Sequence, residues 1–110
     1  MSYYAVTREA GPAWTDGGIN AQPRLGDHAA FMNTLADDRA LLFAGPLAAT
    51  EQGRLRALLV FNADSEADIH YHLADDPWRD RLQITSIGPW NIFVGAERLS
   101  TTETAATTTP

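Results

Sequence analysis

His28 stands in the run LGDHAAFMNTLADD, three residues after Leu25 and four before Met32. Wound as a helix at ~100° per residue, the run gathers Leu25, Met32 and Leu35 into one apolar stripe, widened by Phe31 and Ala36. His28 falls on that same stripe. An imidazole turned toward an interior suits proton transfer, because it can take up a proton at working pH and give it back. It also suits a core histidine bonded to a backbone carbonyl, and spacing alone leaves both readings open. Tyr4, Phe31, Trp78 and Trp90 are candidate walls for a flat ring, and each would equally serve a core or an interface. Gly45-Pro46 offers backbone that a ligand can approach without side-chain obstruction, or it simply ends a strand.

Other chemistries find less support. His70-Tyr71-His72 suggests a metal, but residues two apart on a helix point ~200° from each other, so both imidazoles would face one ion only on a strand. The helical reading prevails there, and neither a metal nor a cofactor is expected. With no cysteine there is no thiolate nucleophile, disulfide or sulfur ligand. Ser2, Ser65, Ser86 and Ser100 lack a glycine elbow, and Gly17-Gly18 is too short for a phosphate loop. Fourteen acidic against eight basic side chains give a formal charge of -6. Such a surface repels phosphate backbones, and no basic cluster reverses it locally, so nucleic acid is not an expected partner. No apolar run is long enough to cross a bilayer and the N-terminus lacks a signal-peptide pattern, so no membrane partner and a cytoplasmic location are expected.

The elements that must position His28 follow in order. Ser2 to Arg8 alternates β-branched and aromatic residues and reads as a strand, with Tyr4, Val6 and Arg8 on one face. Glu9 to Arg24 is a long connection broken by Gly11-Pro12, Asp16-Gly17-Gly18 and Pro23, a length often used for binding loops. Its Trp14 and Ile19 either cover a ligand or pack on the edge of the core. The helix runs from Leu25 to about Asp38, with Asp27 favourably placed near the positive end of its dipole. Ala40 to Ala44 reads as a buried strand stopped by Gly45-Pro46, and Leu55 to Phe61 as its hairpin partner across the Glu51-Gln52-Gly53 turn. Ser65 caps a second helix that carries Ile69 and Leu73 inward and ends before Pro77. There Asp75 reads as solvated, and Asp76 as capping a turn. Leu82 to Val94 forms a last extended segment interrupted at Gly88-Pro89.

The order β-α-β-β-α-β predicts an α+β, ferredoxin-like domain over residues 1–99, an antiparallel sheet with both helices on one face, followed by a disordered Thr-rich tail over 100–110. The other face, fed by alternate residues of Leu55 to Phe61 and by Trp90, Ile92 and Val94, would be bare and apolar, which predicts a homodimer packed sheet to sheet.

Four motifs in this order, DHAAFMNTL, FAGPL, DPW and the final PW, resemble the YCII-like (YciI-related) proteins over roughly Ser2 to Leu99. The resemblance implies a dimeric α+β barrel, related in architecture to muconolactone isomerases, with a cleft in each subunit. It also implies a catalytic His-Asp pair, which maps onto His28 and Asp76. One activity known in the family is dehydrochlorination of a chlorinated hydroxyhydroquinone. The chain departs from the pattern in a longer Glu9–Arg24 loop and in Arg39, which stands where the helix exit commonly has glycine.

The expected function is that of a small cofactor-independent enzyme. His28, oriented by Asp76, would move a proton in an isomerisation, elimination or dehydration. The small-molecule ligand would be a hydroxylated aromatic, quinoid, lactone or polyketide-like compound, held among Tyr4, Trp14, Phe31, Gly45, Pro46, Trp78 and Trp90. A non-catalytic ligand-binding or accessory module is the main alternative, and a cofactor-free oxygenase a weaker one.

Overall fold

The computed structural model describes residues 2–99, so the Thr-rich tail expected over 100–110 lies outside the described residues. Strand β1 (Ser2–Ala10) leads through a loop with one 3-10 turn (Ile19–Ala21) into helix α1 (Leu25–Asp37). Strands β2 (Leu41–Pro46) and β3 (Arg56–Ala63) follow, then helix α2 (Glu66–Leu73) and strand β4 (Leu82–Pro89). The strands lie in the order β2-β3-β1-β4 and every neighbouring pair is antiparallel. This is the ferredoxin-like α+β arrangement.

Strand alternation sets the two faces. Tyr4, Val6 and Arg8 of β1 stand opposite Phe61, Leu59 and Ala57 of β3, so these six share one side of the pleat. That side takes Leu35 from α1 and Ile69 and Leu73 from α2 into a single buried cluster, with Phe31 and Met32 packed against it. Burial of the helix faces, rather than propensity, holds such short helices in place. A second cluster of Trp14, Leu55, Trp78 and Leu82 closes one end of the sheet, with Ile19 and Leu25 against it.

Local signals operate as their chemistry requires. The Ser65 hydroxyl accepts from the Asp68 N–H at 3.3 Å and starts α2, while Asp68 Oδ2 accepts from the Asp64 N–H at 3.2 Å. Asp27 lies in the first turn of α1 and pairs with Arg24 at 3.1 Å on the surface. No described helix is long and apolar enough to cross a membrane.

Several expectations need correction. Strand β2 is an edge strand, not a buried one: Leu41 is buried but Phe43 is 59% exposed. Its Gly45 and Pro46 remain paired with Leu58 and Ala57, since a proline lacking N–H is tolerated where one side of the strand has no neighbour. Strand β4 stops at Pro89 rather than continuing to Val94, and Phe93 and Val94 are exposed beyond it. Ala36 faces solvent, so the apolar stripe of α1 is narrower than the sequence suggests.

The exit of α1 repeats in structure what the sequence shows as a departure. Arg39 adopts the left-handed conformation with φ 64°, and its N–H donates to the Ala36 carbonyl at 3.0 Å. A side chain there crowds the following carbonyl, which glycine avoids. Arg39→Gly is therefore expected to raise the unfolding free energy by about 1 kcal/mol, read from the urea midpoint.

Candidate functional site

The site is organised by Asp76, which α2 and its exit carry to the interior. Pro77 has no N–H, so the first free donor after Asp76 is the amide of Trp78, which donates to Asp76 Oδ1 at 2.9 Å. This turn draws the carboxylate inward until it is fully buried. His28 Nδ1 meets the same oxygen at 2.7 Å, and Arg8 Nη1 donates to Oδ2 at 2.6 Å. Asp76 thus caps its turn and also meets the imidazole, so the bland and the chemical geometry coexist in one side chain.

Burial by itself would push the Asp76 carboxyl up. Hydrogen bonds from His28, from the Trp78 amide and from Arg8, with the Arg8 charge, outweigh it and hold the carboxyl below the ordinary carboxylate range. An ionised carboxylate only accepts, so the proton on the neutral imidazole sits on Nδ1. Nε2 is left with a lone pair. The imidazole also lies flat against the Trp78 indole, with centroids 4.1 Å apart and planes at 9°. Trp78 is fixed in turn by its Nε1–H, which donates to the Pro23 carbonyl at 2.7 Å, and by the edge of Trp14 at 5.5 Å.

Arg8 is the residue that the sequence reading overlooked. It is 2% exposed on the helix-facing side of β1, continuing the Tyr4, Val6 series. The β1–β4 register shifts between Thr7 and Arg8, so Thr85 is the extra residue between Ser86 and Ile84. Such a bulge re-aims the neighbouring side chain. The signal was a charge at an inward position of an otherwise apolar alternation.

A cleft of about 300 Å³ opens beside His28. Leu25, His28, Ala29, Met32 and Asn33 of α1 form one wall, Ala44, Gly45 and Pro46 of β2 another, and Arg8, Leu55, Leu59, Trp78, Leu82 and the loop residue Ile19 much of the rest. Small-ligand sites have this character, an apolar surround with a few convergent polar groups. Of the residues expected to hold a ligand, Gly45 and Pro46, offered as approachable backbone, and Trp78, offered as a ring wall, line the cleft.

Tyr4, Phe31, Trp14 and Trp90 lie elsewhere. Tyr4 and Phe31 belong to the core cluster beneath the helices, since their register points them into the sheet–helix layer. Trp14 is buried behind Trp78 and donates to the Gly53 carbonyl at 2.9 Å, so it supports the wall rather than forming it. Trp90, one residue beyond β4, sits with Ala5, Leu58 and Ser86 in a depression on the opposite side of the sheet. His70 and His72 do not converge, His72 stacking on Phe61 at 6.3 Å. Among the described residues no group of three His, Cys, Asp or Glu side chains could hold a metal ion.

The loop before α1 is internally bonded. Buried Gln22 accepts from the Thr15 amide at 3.0 Å and donates to the carbonyls of Thr15 and Gly18 at 2.7 and 2.8 Å. Gly18, at φ 79°, presses on the β2–β3 turn so closely that an added Cβ would collide with the Glu51 carbonyl oxygen. This contact seats Ile19 over the cleft.

Because the Asp76 carboxyl is depressed in the folded state, its contribution is complete above its unfolded pKa and is lost as pH falls through the folded one. Asp76→Asn is expected to cost about 3–5 kcal/mol at neutral pH, since Arg8 would keep a buried charge without its counter-ion. The gap between wild type and variant should narrow on acidification below the ordinary carboxylate range, as measured by urea unfolding at a series of pH values.

No family model and no curated protein matches the sequence. Among solved structures, the chain is similar to the 5-chloro-2-hydroxyhydroquinone dehydrochlorinase TftG from Burkholderia phenoliruptrix AC1100, in complex with 2,5-dihydroxybenzoquinone. The TM-score is 0.57 at 17% identity, over 83% of this chain and 95% of that one. A structural-genomics protein, YJCS, aligns over 83% of this chain and 97% of its own at a TM-score of 0.44 and 12% identity. At these identities the likeness to the dehydrochlorinase is one of architecture: the two chains share the same α+β fold.

Proposed function

We propose that the protein is a small enzyme of the YCII-like type that moves a proton on a ring-shaped substrate, with His28 as base and Asp76 as its orienter. The observation that carries this reading is the 2.7 Å contact between Asp76 and His28 Nδ1 at the wall of an apolar cleft. Nε2 accepts a proton from a C–H or O–H group of the bound molecule, and the imidazolium so formed is met by the Asp76 carboxylate and the face of Trp78. The same nitrogen then returns the proton at another atom, which is an isomerisation. In an elimination, the electron pair of the broken C–H bond becomes the new π bond and the leaving group departs with its own pair. A hydroxylated aromatic or quinoid compound suits this apolar cleft, whose lining includes Pro46 and Trp78. The dihydroxybenzoquinone held by the dehydrochlorinase supports that substrate class.

Ring-proton exchange of hydroxyhydroquinone in D2O, followed by NMR, reads the transfer without the natural leaving group. His28→Ala should slow exchange by about a hundredfold to ten-thousandfold while the fold is retained. Exchange at the wild-type rate in that variant would remove the base from the reading. Binding with no exchange in the wild type would leave a ligand-binding module.

The sheet face away from the helices supports a twofold dimer as part of this proposal. It exposes Phe43, Leu58 and Trp90 at 59, 36 and 45%, side chains too apolar to leave against water as a group. Leu58→Arg, placed centrally on β3, should convert the dimer to monomer in sedimentation velocity while leaving the helical signal unchanged.

A further inference from the structure

Arg8 and Asp76 do not face the cleft equally. Asp76 is fully buried and lies behind the wall, whereas Arg8 and His28 are part of the lining. The ion pair is therefore a dipole with its positive end toward the cleft and its negative end in the interior. Among the described residues no carboxylate lines the cleft, where the polar side chains are Arg8, His28 and Asn33. The surrounding side chains are apolar, so the field of this dipole is weakly screened. One guanidinium nitrogen is engaged by Asp76, while the buried Arg8 Nε has no hydrogen-bond partner among the described residues. That nitrogen is enclosed by protein, so Arg8 meets the cleft through its other atoms.

We infer that Arg8 is the specificity-determining residue of the cleft, which selects molecules bearing an oxyanion (a phenolate, enolate or carboxylate) beside the ring. The inference rests on the ring-binding reading above and deepens it. A base that withdraws a proton leaves negative charge on its substrate, and a fixed cation beside that base is where the charge settles. Arg8 also reaches a second depression on the β4 side, lined by His70, Arg79 and Gln83. The same charge seen from that side would define a different site, which the experiment separates.

The test compares two ligands of nearly equal shape: lawsone, a hydroxynaphthoquinone that is an anion at neutral pH, and its uncharged methyl ether. Binding is read by quenching of tryptophan emission, with Trp78 in the cleft wall. The wild type should prefer lawsone by about tenfold to a hundredfold. The double variant Arg8→Met with Asp76→Asn removes both buried charges together and should abolish the preference. His28→Ala should keep it, which sets Arg8 apart from a protonated imidazole. Arg79→Ala should keep it too. Equal binding of the two ligands by the wild type overturns the inference and leaves the ring reading standing, and this comparison needs no variant to fold. Preference surviving in the double variant, or lost in His28→Ala or Arg79→Ala, also overturns it. Binding of neither ligand removes the ring reading and the inference together.

Discussion

A carboxylate taken fully out of water has to be answered on every side, and much of the site follows from how Asp76 is answered. Its two oxygens receive an amide from Trp78, a ring nitrogen from His28 and a guanidinium from Arg8. Those three donors come from the segment after α2, from α1 and from β1, elements far apart in the chain. Once the three meet, the imidazole has one tautomer, the indole has one orientation, and the cleft has a fixed wall. Replacing a whole buried ion pair by apolar side chains of similar volume often costs little in stability. A stability argument alone does not account for placing a charged pair here, and the cleft alongside does.

The sequence made the arrangement of elements legible because its signals are local. Alternation in β1, the Ser65 cap and the proline after Asp76 each act within a few residues, and each appears in the structure where its chemistry requires. Arg39 was legible as an anomaly before its backbone was known, since the end of a helix asks for a residue that tolerates positive φ. The meeting of His28 and Asp76 was not readable from spacing and came from the resemblance to YCII-like proteins.

What escaped is mostly tertiary. The aromatic residues have no local mark that separates a cleft wall from a core neighbour. Tyr4, Phe31 and Trp14 went to packing, while Trp78 took the wall because its amide is tied to Asp76. The extent of β4 and the exposure of β2 depended on which strands became edges, a property of the whole sheet. Arg8 was visible in the alternation of β1 but carried no weight until its partner 68 residues away was known.

The segment between β1 and α1 is bound mainly to itself and to the ends of the sheet. Gln22 ties Thr15 to Gly18, Arg81 reaches the Ala13 carbonyl at 2.5 Å, and Gly18 abuts the neighbouring turn. Within the cleft it contributes Ile19, and its Pro23 carbonyl steadies Trp78, but none of the three groups around the buried carboxylate comes from it. The roof over the cleft and the three groups that answer the carboxylate are thus carried by different pieces of chain. A lineage built this way is free to exchange one roof for another, and so to change what it accepts, while the machinery underneath stays as it is.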